Sequence, residues 1–230
     1  MKKSISIVIL FVIFFSCQNN AQNNKSQDVS ALEPVEVPLQ DGLARAYFAS
    51  GCFWCVEAIY ESVKGVEEVI NGYSGGHTKN PTYEASNTGI TGHAESVEVI
   101  YDPEKVTFSQ LLDVYFNSQN PAQVNGQGPD FGSQYRSIVF YQNEEQKQTA
   151  LAKKEEYTKK FNVKIAAEIV PFQKFWKAED YHQNYEKRNP NNPYIKNVSQ
   201  KRVEQFKLSC PLLVKGTTKE VIDQINNAEN

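Results

Sequence analysis

Positive charge is not in excess in this chain. Its 230 residues carry 24 Lys and Arg against 27 Asp and Glu, a formal charge of -3. A surface that holds a nucleic-acid backbone needs a basic patch, and this balance points to none. Long apolar runs are also missing. The stretch from Ile5 to Phe15 is almost wholly apolar but too short to cross a bilayer as a helix. Histidine is scarce: His77, His93 and His182 are spaced too widely for a pair of zinc ligands, so no metal site is expected. Methionine occurs once, as Met1. Cysteine is limited to positions 17, 52, 55 and 210, too few and too oddly spaced for a structural disulfide framework. What remains is a globular composition, 40% hydrophobic and 22% charged, which excludes a disordered chain and allows a sizeable core.

The N-terminus is not read as part of the fold. Lys2 and Lys3 precede the short apolar run, and Ser16-Cys17 is followed by the polar stretch "QNNAQNNKSQD". This is the pattern of a signal peptide over 1–16. A small residue before cysteine at the cut site resembles a bacterial lipoprotein signal. It implies that Cys17 becomes the acylated first residue of an exported protein held to a membrane of the cell envelope. Plain secretion with an incidental Cys17 is the other reading. Residues 17–42, rich in Asn, Gln, Ser and Pro, then form a lipidated, flexible tether.

Alternation and helical periodicity divide the rest. Strands are expected over 43–49, 66–73, 94–101, 135–142 and 163–170. Helices are expected over 53–64, 107–118 and 143–160, the last two opened by the cap pairs Thr107/Gln110 and Asn143/Gln146. Two long loops, 74–92 and 119–134, lie between, and loops of that length usually have a function. The order predicts an α+β fold: a two-layer α/β sandwich with a ferredoxin-like βαββαβ core. The catalytic domain is expected over 43–198 and a C-terminal helical extension over 199–230.

The most unusual stretch is "YFASGCFWCVEAIYESV", residues 47–63. Gly51 permits a sharp turn after a strand. Cys52 then falls at the start of a helix, where free amides and the helix dipole favour a thiolate, which makes it a candidate nucleophile. Cys55 lies one turn on, within reach of a disulfide if that turn relaxes. The bland reading is two buried cysteines at a helix start. Phe53 and Trp54 are either core or the walls of a pocket for a small apolar group.

A second oddity is "TGHAESVEVIYDP", residues 91–103. Glu95 shares a strand face with Val97, Val99 and Tyr101. Desolvation there raises a carboxyl pKa and makes Glu95 a candidate general acid, with an edge glutamate reaching solvent as the alternative. Tyr83 in "NPTY" and Tyr135 in "GSQYRS" border the two long loops, as hydrogen-bond donors or as packing. Cys210, in "EQFKLSCPLL", reads as a small hydrophobe at the end of an amphipathic helix.

The segments "GCFWC", "NPTYEASNTGITGHAESVEVIYDP", "PAQVNGQGPDFGSQYRSIVFY" and "AEDYHQNYEKRNP" together resemble the A-type peptide-methionine sulfoxide reductases, from about Arg45 to the mid-190s. The resemblance implies a two-layer α/β fold. It also implies reduction of the S epimer of methionine sulfoxide, in proteins, peptides or free form. By that likeness Cys52 is the nucleophile, Glu95 the acid, and Tyr83 and Tyr135 the hydroxyls that hold the sulfoxide oxygen. Phe53 and Trp54 enclose the methyl group, with Asp130 beside the substrate. Cys52 becomes a sulfenic acid, a second thiol converts it to a disulfide, and a thioredoxin-like reductant resets the enzyme. No metal or bound cofactor is implied, and a monomer is expected. Many relatives have glycine where this chain has Cys55, and resolving cysteines near the C-terminus; histidine is common where this chain has Phe131. Cys55 is the favoured resolving thiol because no loop has to close, with Cys210 as the alternative. Readings outside the family are a thioredoxin-like dithiol oxidoreductase, for which no strand-leading cis-proline is found, and a lipoprotein that binds peptides without chemistry.

Overall fold

The computed structural model describes residues 32–218. Cys17, the expected signal peptide, most of the expected tether and the last twelve or so residues of the C-terminal extension lie outside the described residues.

Strand β1 (Ala44–Ala49) leads through a turn at Gly51 into helix α1 (Phe53–Glu61), and β2 (Val66–Ser74) returns. A short helix α2 (Tyr83–Asn87) interrupts the first long loop before β3 (Ala94–Tyr101) and α3 (Phe108–Asn117). Thr107 and Gln110 form the expected capping box. The second long loop holds a two-residue hairpin, β4 (Gly126–Gln127) and β5 (Asp130–Phe131), ahead of β6 (Ile138–Tyr141). Helix α4 (Glu144–Phe161) is capped by Asn143, which accepts from the Gln146 amide, and ends at Asn162 in the left-handed region. Two short strands follow, β7 (Glu168–Pro171) and β8 (Phe175–Lys177), then α5 (Tyr185–Arg188) and α6 (Gln200–Ser209).

Six strands form one sheet in the order β7-β6-β1-β3-β2-β8. The central four, β6-β1-β3-β2, are antiparallel neighbours, as a split βαβ core requires; β7 adds parallel to β6 and β8 antiparallel to β2. One face carries the main core. Phe48, Val97 and Val99 meet Tyr60 of α1, Leu111, Leu112 and Phe116 of α3, and Phe206 of α6. The other face carries a smaller cluster in which Tyr47 stacks on Phe172 with centroids 3.8 Å apart.

Four expectations need correction. The strand expected from 135 starts at Ile138, because Ser133–Tyr135 form a 3-10 turn. The strand expected over 163–170 is confined to 168–171, because the Ala166 amide is drawn to the Pro121 carbonyl of the second long loop at 2.7 Å. The helix over 53–64 stops at Glu61: Ser62 caps it, and Val63 bridges to Val214. The tether is not free up to residue 42. The Val35 amide donates to Phe172 O at 2.8 Å, the Val37 amide to Gln142 Oε1 at 2.9 Å, and Gln173 Nε2 to Glu33 O at 2.6 Å. The C-terminal helix is likewise built into the core through the fully buried Phe206. Among the described residues no helix is long and apolar enough to cross a membrane.

Candidate active site

The site forms where β1 passes into α1. Gly51 has φ +73, and its amide donates to Tyr135 O at 3.2 Å. A Cβ there would lie 2.5 Å from Gln127 Cβ, so glycine is required both for the turn and for the approach of the second loop. Cys52 is the N-cap of α1: its carbonyl accepts from the Cys55 amide at 3.2 Å and the Val56 amide at 3.4 Å. Both thiols are reduced and buried, Cys52 6% exposed and Cys55 0%.

That burial acts against the helix start at Cys52. Burial pushes the Cys52 thiol well up, and the neighbouring Cys55 sulfur and Glu95 push the same way. Cys55 is drawn down to about 6, first by the hydrogen bond from Cys52 and then, against burial, by the charge of Arg202 and the hydroxyls of Ser199 and Tyr194. The two sulfurs are thus coupled: burial raises Cys52, and the hydrogen bond from Cys52 lowers Cys55. The Cys52 sulfur sits at the cap and is enclosed, while Tyr194 and Ser199 bring hydroxyls to Cys55. The Tyr194 hydroxyl lies 3.7 Å from Cys55 Sγ and donates to Asp130 Oδ2 at 2.5 Å.

Glu95, opposite Tyr73 in the β2/β3 register, is 2% exposed. Its Oε2 accepts from the Phe53 amide at 3.0 Å, which sets it beside the residue after Cys52. Burial pushes its carboxyl up to about 8; the charges of Asp130 and Cys55 add to this and the Phe53 amide opposes it. The carboxyl thus keeps its proton at neutral pH, as the strand pattern suggested. Tyr83 opens α2 behind the Thr82 cap, and Tyr135 closes the 3-10 turn. Both phenols are pushed up, chiefly by burial, with Glu95, Cys52 and Asp130 contributing, so both remain donors. Tyr135 donates to Asn87 Oδ1 at 3.4 Å, tying its turn to α2.

Aromatic rings complete the enclosure. Phe53 packs on Tyr73, Tyr83 and His182, with centroids 5.9, 6.5 and 4.9 Å apart. Trp54 stacks on Tyr185 at 3.8 Å, meets Tyr194 edge-on, and donates from Nε1 to His182 Nδ1 at 3.1 Å. Glu179 joins the two layers, accepting from Tyr73 Oη and from the Tyr83 amide, each at 2.9 Å. Sequence reasoning assigned no role to His182, Glu179, Tyr185, Tyr194 or Arg202. The first three lie in "AEDYHQNYEKRNP", where a run of aromatic and ionisable residues was the available signal.

Cys210 is not in this assembly. It is the C-cap of α6, its Sγ 4.0 Å from Asp113 O, and burial pushes its thiol up to about 11. Arg202, near Cys55, and Cys210 stand on one helix, so at 1.5 Å per residue they are on the order of 12 Å apart along its axis.

A buried dithiol at a strand-to-helix turn, facing a protonated carboxyl and two phenols inside an aromatic enclosure, defines a thiol-dependent oxidoreductase. The family model for peptide methionine sulfoxide reductase matches residues 44–210. The chain is 47% identical over 164 residues to peptide methionine sulfoxide reductase MsrA of Nautilia profundicola, covering 71% of this chain and 94% of that one. It is 51% identical over 170 residues to the MsrA of Methanosarcina acetivorans, covering 73% and 87%. Among solved structures, methionine sulfoxide reductase A of Corynebacterium diphtheriae superposes with a TM-score of 0.63 at 35% identity, covering 70% of this chain and 84% of that one. Mxr1 of Saccharomyces cerevisiae in reduced form also gives 0.63, at 31% identity, covering 69% and 91%. The chain belongs to the peptide methionine sulfoxide reductase family and is an oxidoreductase of that family.

Proposed function

We propose that this chain reduces the S epimer of methionine sulfoxide, in proteins, peptides or free form, by the chemistry of the Cys52/Cys55 pair. The observation that carries this reading is the buried, protonated Glu95 at the amide of Phe53. A sulfoxide oxygen leaves sulfur only once it is protonated, and Glu95 is a proton donor fixed next to a thiol.

In the proposed cycle the methyl group of the substrate lies against Phe53 and Trp54, and its oxygen accepts from Glu95, Tyr83 and Tyr135. Cys52 attacks the sulfoxide sulfur while its own proton passes to the Cys55 sulfur. Glu95 gives its proton to the oxygen. The thioether leaves, and Cys52 carries the hydroxyl as a sulfenic acid. Cys55 then attacks the Cys52 sulfur. Its proton departs with the hydroxyl as water, and a disulfide remains. Solvent reprotonates Glu95. A thioredoxin-like reductant reopens the disulfide by thiol exchange.

The test supplies each epimer with a chemical dithiol. Turnover of S-sulfoxides with R-sulfoxides left nearly untouched is expected; equal rates on both, or none on either, would refute the proposal. Membrane attachment through an acylated Cys17 is part of the same proposal, supported by the leader pattern of residues 1–17. Labelled fatty acid on the protein, lost in Cys17→Ala, is the expected result, and an unacylated mature protein contradicts it.

A further inference from the structure

His182 is 1% exposed and sits among the rings of the site, with centroids 4.2 Å from Tyr181, 4.5 Å from Tyr83, 4.9 Å from Phe53 and 5.7 Å from Trp54. Its Nδ1 accepts from Trp54 Nε1 at 3.1 Å. An indole N–H can only donate, so Nδ1 carries no proton and the neutral ring is protonated on Nε2. Nε2 is buried and has no hydrogen-bond partner among the described residues; the Glu179 carboxylate lies 4.0 Å away, too far for a hydrogen bond. Burial pushes the ring below the usual histidine value, against the charges of Glu179 and Glu84, so the acceptor at Nδ1 persists at neutral pH.

The ring is held from behind by the sheet. His182 closes the 3-10 turn Asp180–His182, and its carbonyl accepts from Asn71 Nδ2 at 2.9 Å. The next residue doubles this tie to β2: Gln183 Oε1 accepts from the Asn71 amide at 2.8 Å, and Gln183 Nε2 donates to Asn71 O at 3.1 Å. Asn71 is itself fully buried. Trp54 stands on the other side, in the first turn of α1. Its indole lies flat on Tyr185, with the planes 8° apart, and meets Tyr194 edge-on. A stack fixes the plane of a ring but not its direction within the plane, because dispersion changes little when the ring is turned over. The hydrogen bond from Nε1 to His182 supplies that direction.

We propose that His182 is the positioning residue of the methyl pocket: by holding Trp54 Nε1 it fixes which edge of the indole faces the substrate, and it refers that wall to the buried frame of β2. The inference deepens the function proposed above and rests on it for the identity of the substrate. The consequence is selectivity. Phe53 and Trp54 wall a space for one methyl group, and a wall that can turn leaves a pocket of variable depth, into which a larger alkyl group fits. Tyr83 shares the arrangement. Its ring lies against His182 and its amide donates to Glu179 at 2.9 Å, so the hydroxyl for the sulfoxide oxygen and the wall for the methyl group are both referred to the turn that begins at Glu179. The unpartnered Nε2 shows which half of the ring matters: the acceptor at Nδ1 is used, and the donor is not.

The first test needs no sulfoxide. The chain has two tryptophans, Trp54 and Trp176. In the full chain carrying Trp176→Phe, the indole N–H signal of Trp54 is followed by NMR and its exchange with deuterated water is timed at pH 7. His182→Phe keeps a ring and removes the acceptor; it should speed exchange about tenfold or more, because protection follows the hydrogen bond. His182→Asn keeps an acceptor near the place of Nδ1 and drops Nε2, and should retain most of the protection. Unchanged exchange in folded His182→Phe, or equal loss in both variants, overturns the proposal. His182→Leu serves where the Phe variant does not fold. A second readout compares methionine S-sulfoxide with ethionine S-sulfoxide, since one extra methylene in a tight pocket costs on the order of tenfold or more in kcat/KM. His182→Phe should lower this preference about threefold or more, and His182→Asn should restore most of it. A loss of rate with the preference unchanged would mean a general structural role and would also overturn the proposal. Faster exchange in a protein that reduces neither sulfoxide would instead fault the functional reading and leave the His182–Trp54 contact standing.

Discussion

Cys55 and Cys210 are both enclosed thiols, on helices that pack against each other, yet their surroundings differ in kind. Around Cys55 stand a second thiol and the Tyr194 and Ser199 hydroxyls, with the charge of Arg202 also felt. Around Cys210 stand the Asp113 carbonyl, the charges of Asp113 and Lys160, the Asn117 amide and apolar packing at the end of α6. The first setting draws its thiol down to about 6, and the second pushes its thiol up to about 11. Burial alone therefore says little about a cysteine. What decides its chemistry is whether the enclosing groups can satisfy a negative sulfur. Arg202 stands near the start of α6 and Cys210 at its close.

The largest expected effect falls on the acid that the dithiol charge supports. Glu95→Gln keeps the acceptor for the Phe53 amide and removes the proton, and should lower sulfoxide reduction on the order of 10²–10⁴-fold at pH 7. The loss should shrink at low pH, where solvent supplies the proton. In the unaltered enzyme the rate should fall as pH rises through about 8, because Glu95 loses its proton there. A rate profile flat through that region, or near-normal turnover of the variant, would exclude Glu95 as the donor.

The next effect separates the two thiols directly. Cys55→Ser should cut turnover with a thioredoxin-like reductant on the order of 10²-fold, since the intramolecular partner of the sulfenic acid is lost. It should still release one thioether per enzyme. Cys210→Ser should retain turnover within about twofold. Steady-state rates beside single-turnover product counts distinguish these outcomes, and a reversed order of the two variants breaks the comparison.

Much of this contrast was legible in the residues and part of it was not. The strand over 94–101, the capping box at Thr107 and Glu95 on the apolar face of its strand follow from local pattern, because alternation, cap chemistry and spacing act within a few residues; that Glu95 meets Cys52 came from the family resemblance. The ends of elements were read less well where a distant group intervenes, as when Pro121 holds Ala166 out of the strand. A helix start lowers a thiol that stays exposed, whereas Cys52 is buried, and Arg202 reaches the Ser50 carbonyl of the same turn from far along the chain. Tyr194 and His182 likewise join the site only through tertiary packing, and no short spacing announces them.

A smaller effect tests the interior of α1 between the two thiol regions. Glu57 is buried one turn beyond Phe53, where burial pushes its carboxyl up to about 7 against hydrogen bonds from the Asn184 amide and Asn71. The folded state therefore holds a proton that the unfolded state releases, so stability is lost as pH rises from about 4.5 through 7. Glu57→Gln keeps the acceptor for Asn184 and removes the charge. It should stabilise the fold by about 1–3 kcal/mol at pH 8 and leave it nearly unchanged at pH 4, read from urea unfolding at both values. A variant that is less stable at pH 8 would contradict the burial argument. The smallest effect is at the other end: Cys210→Ser should lower stability by about 1 kcal/mol, the result of placing a hydroxyl in a partly apolar site.

The most direct test of the division between the two thiols is to identify the disulfide itself. The enzyme is given one equivalent of methionine S-sulfoxide without reductant, its remaining thiols are blocked, and the bridge is mapped by mass. A Cys52–Cys55 disulfide, formed equally in Cys210→Ser, is the expected result. A Cys52–Cys210 disulfide, or a stable sulfenic acid on Cys52 with Cys55 still free, would contradict the account.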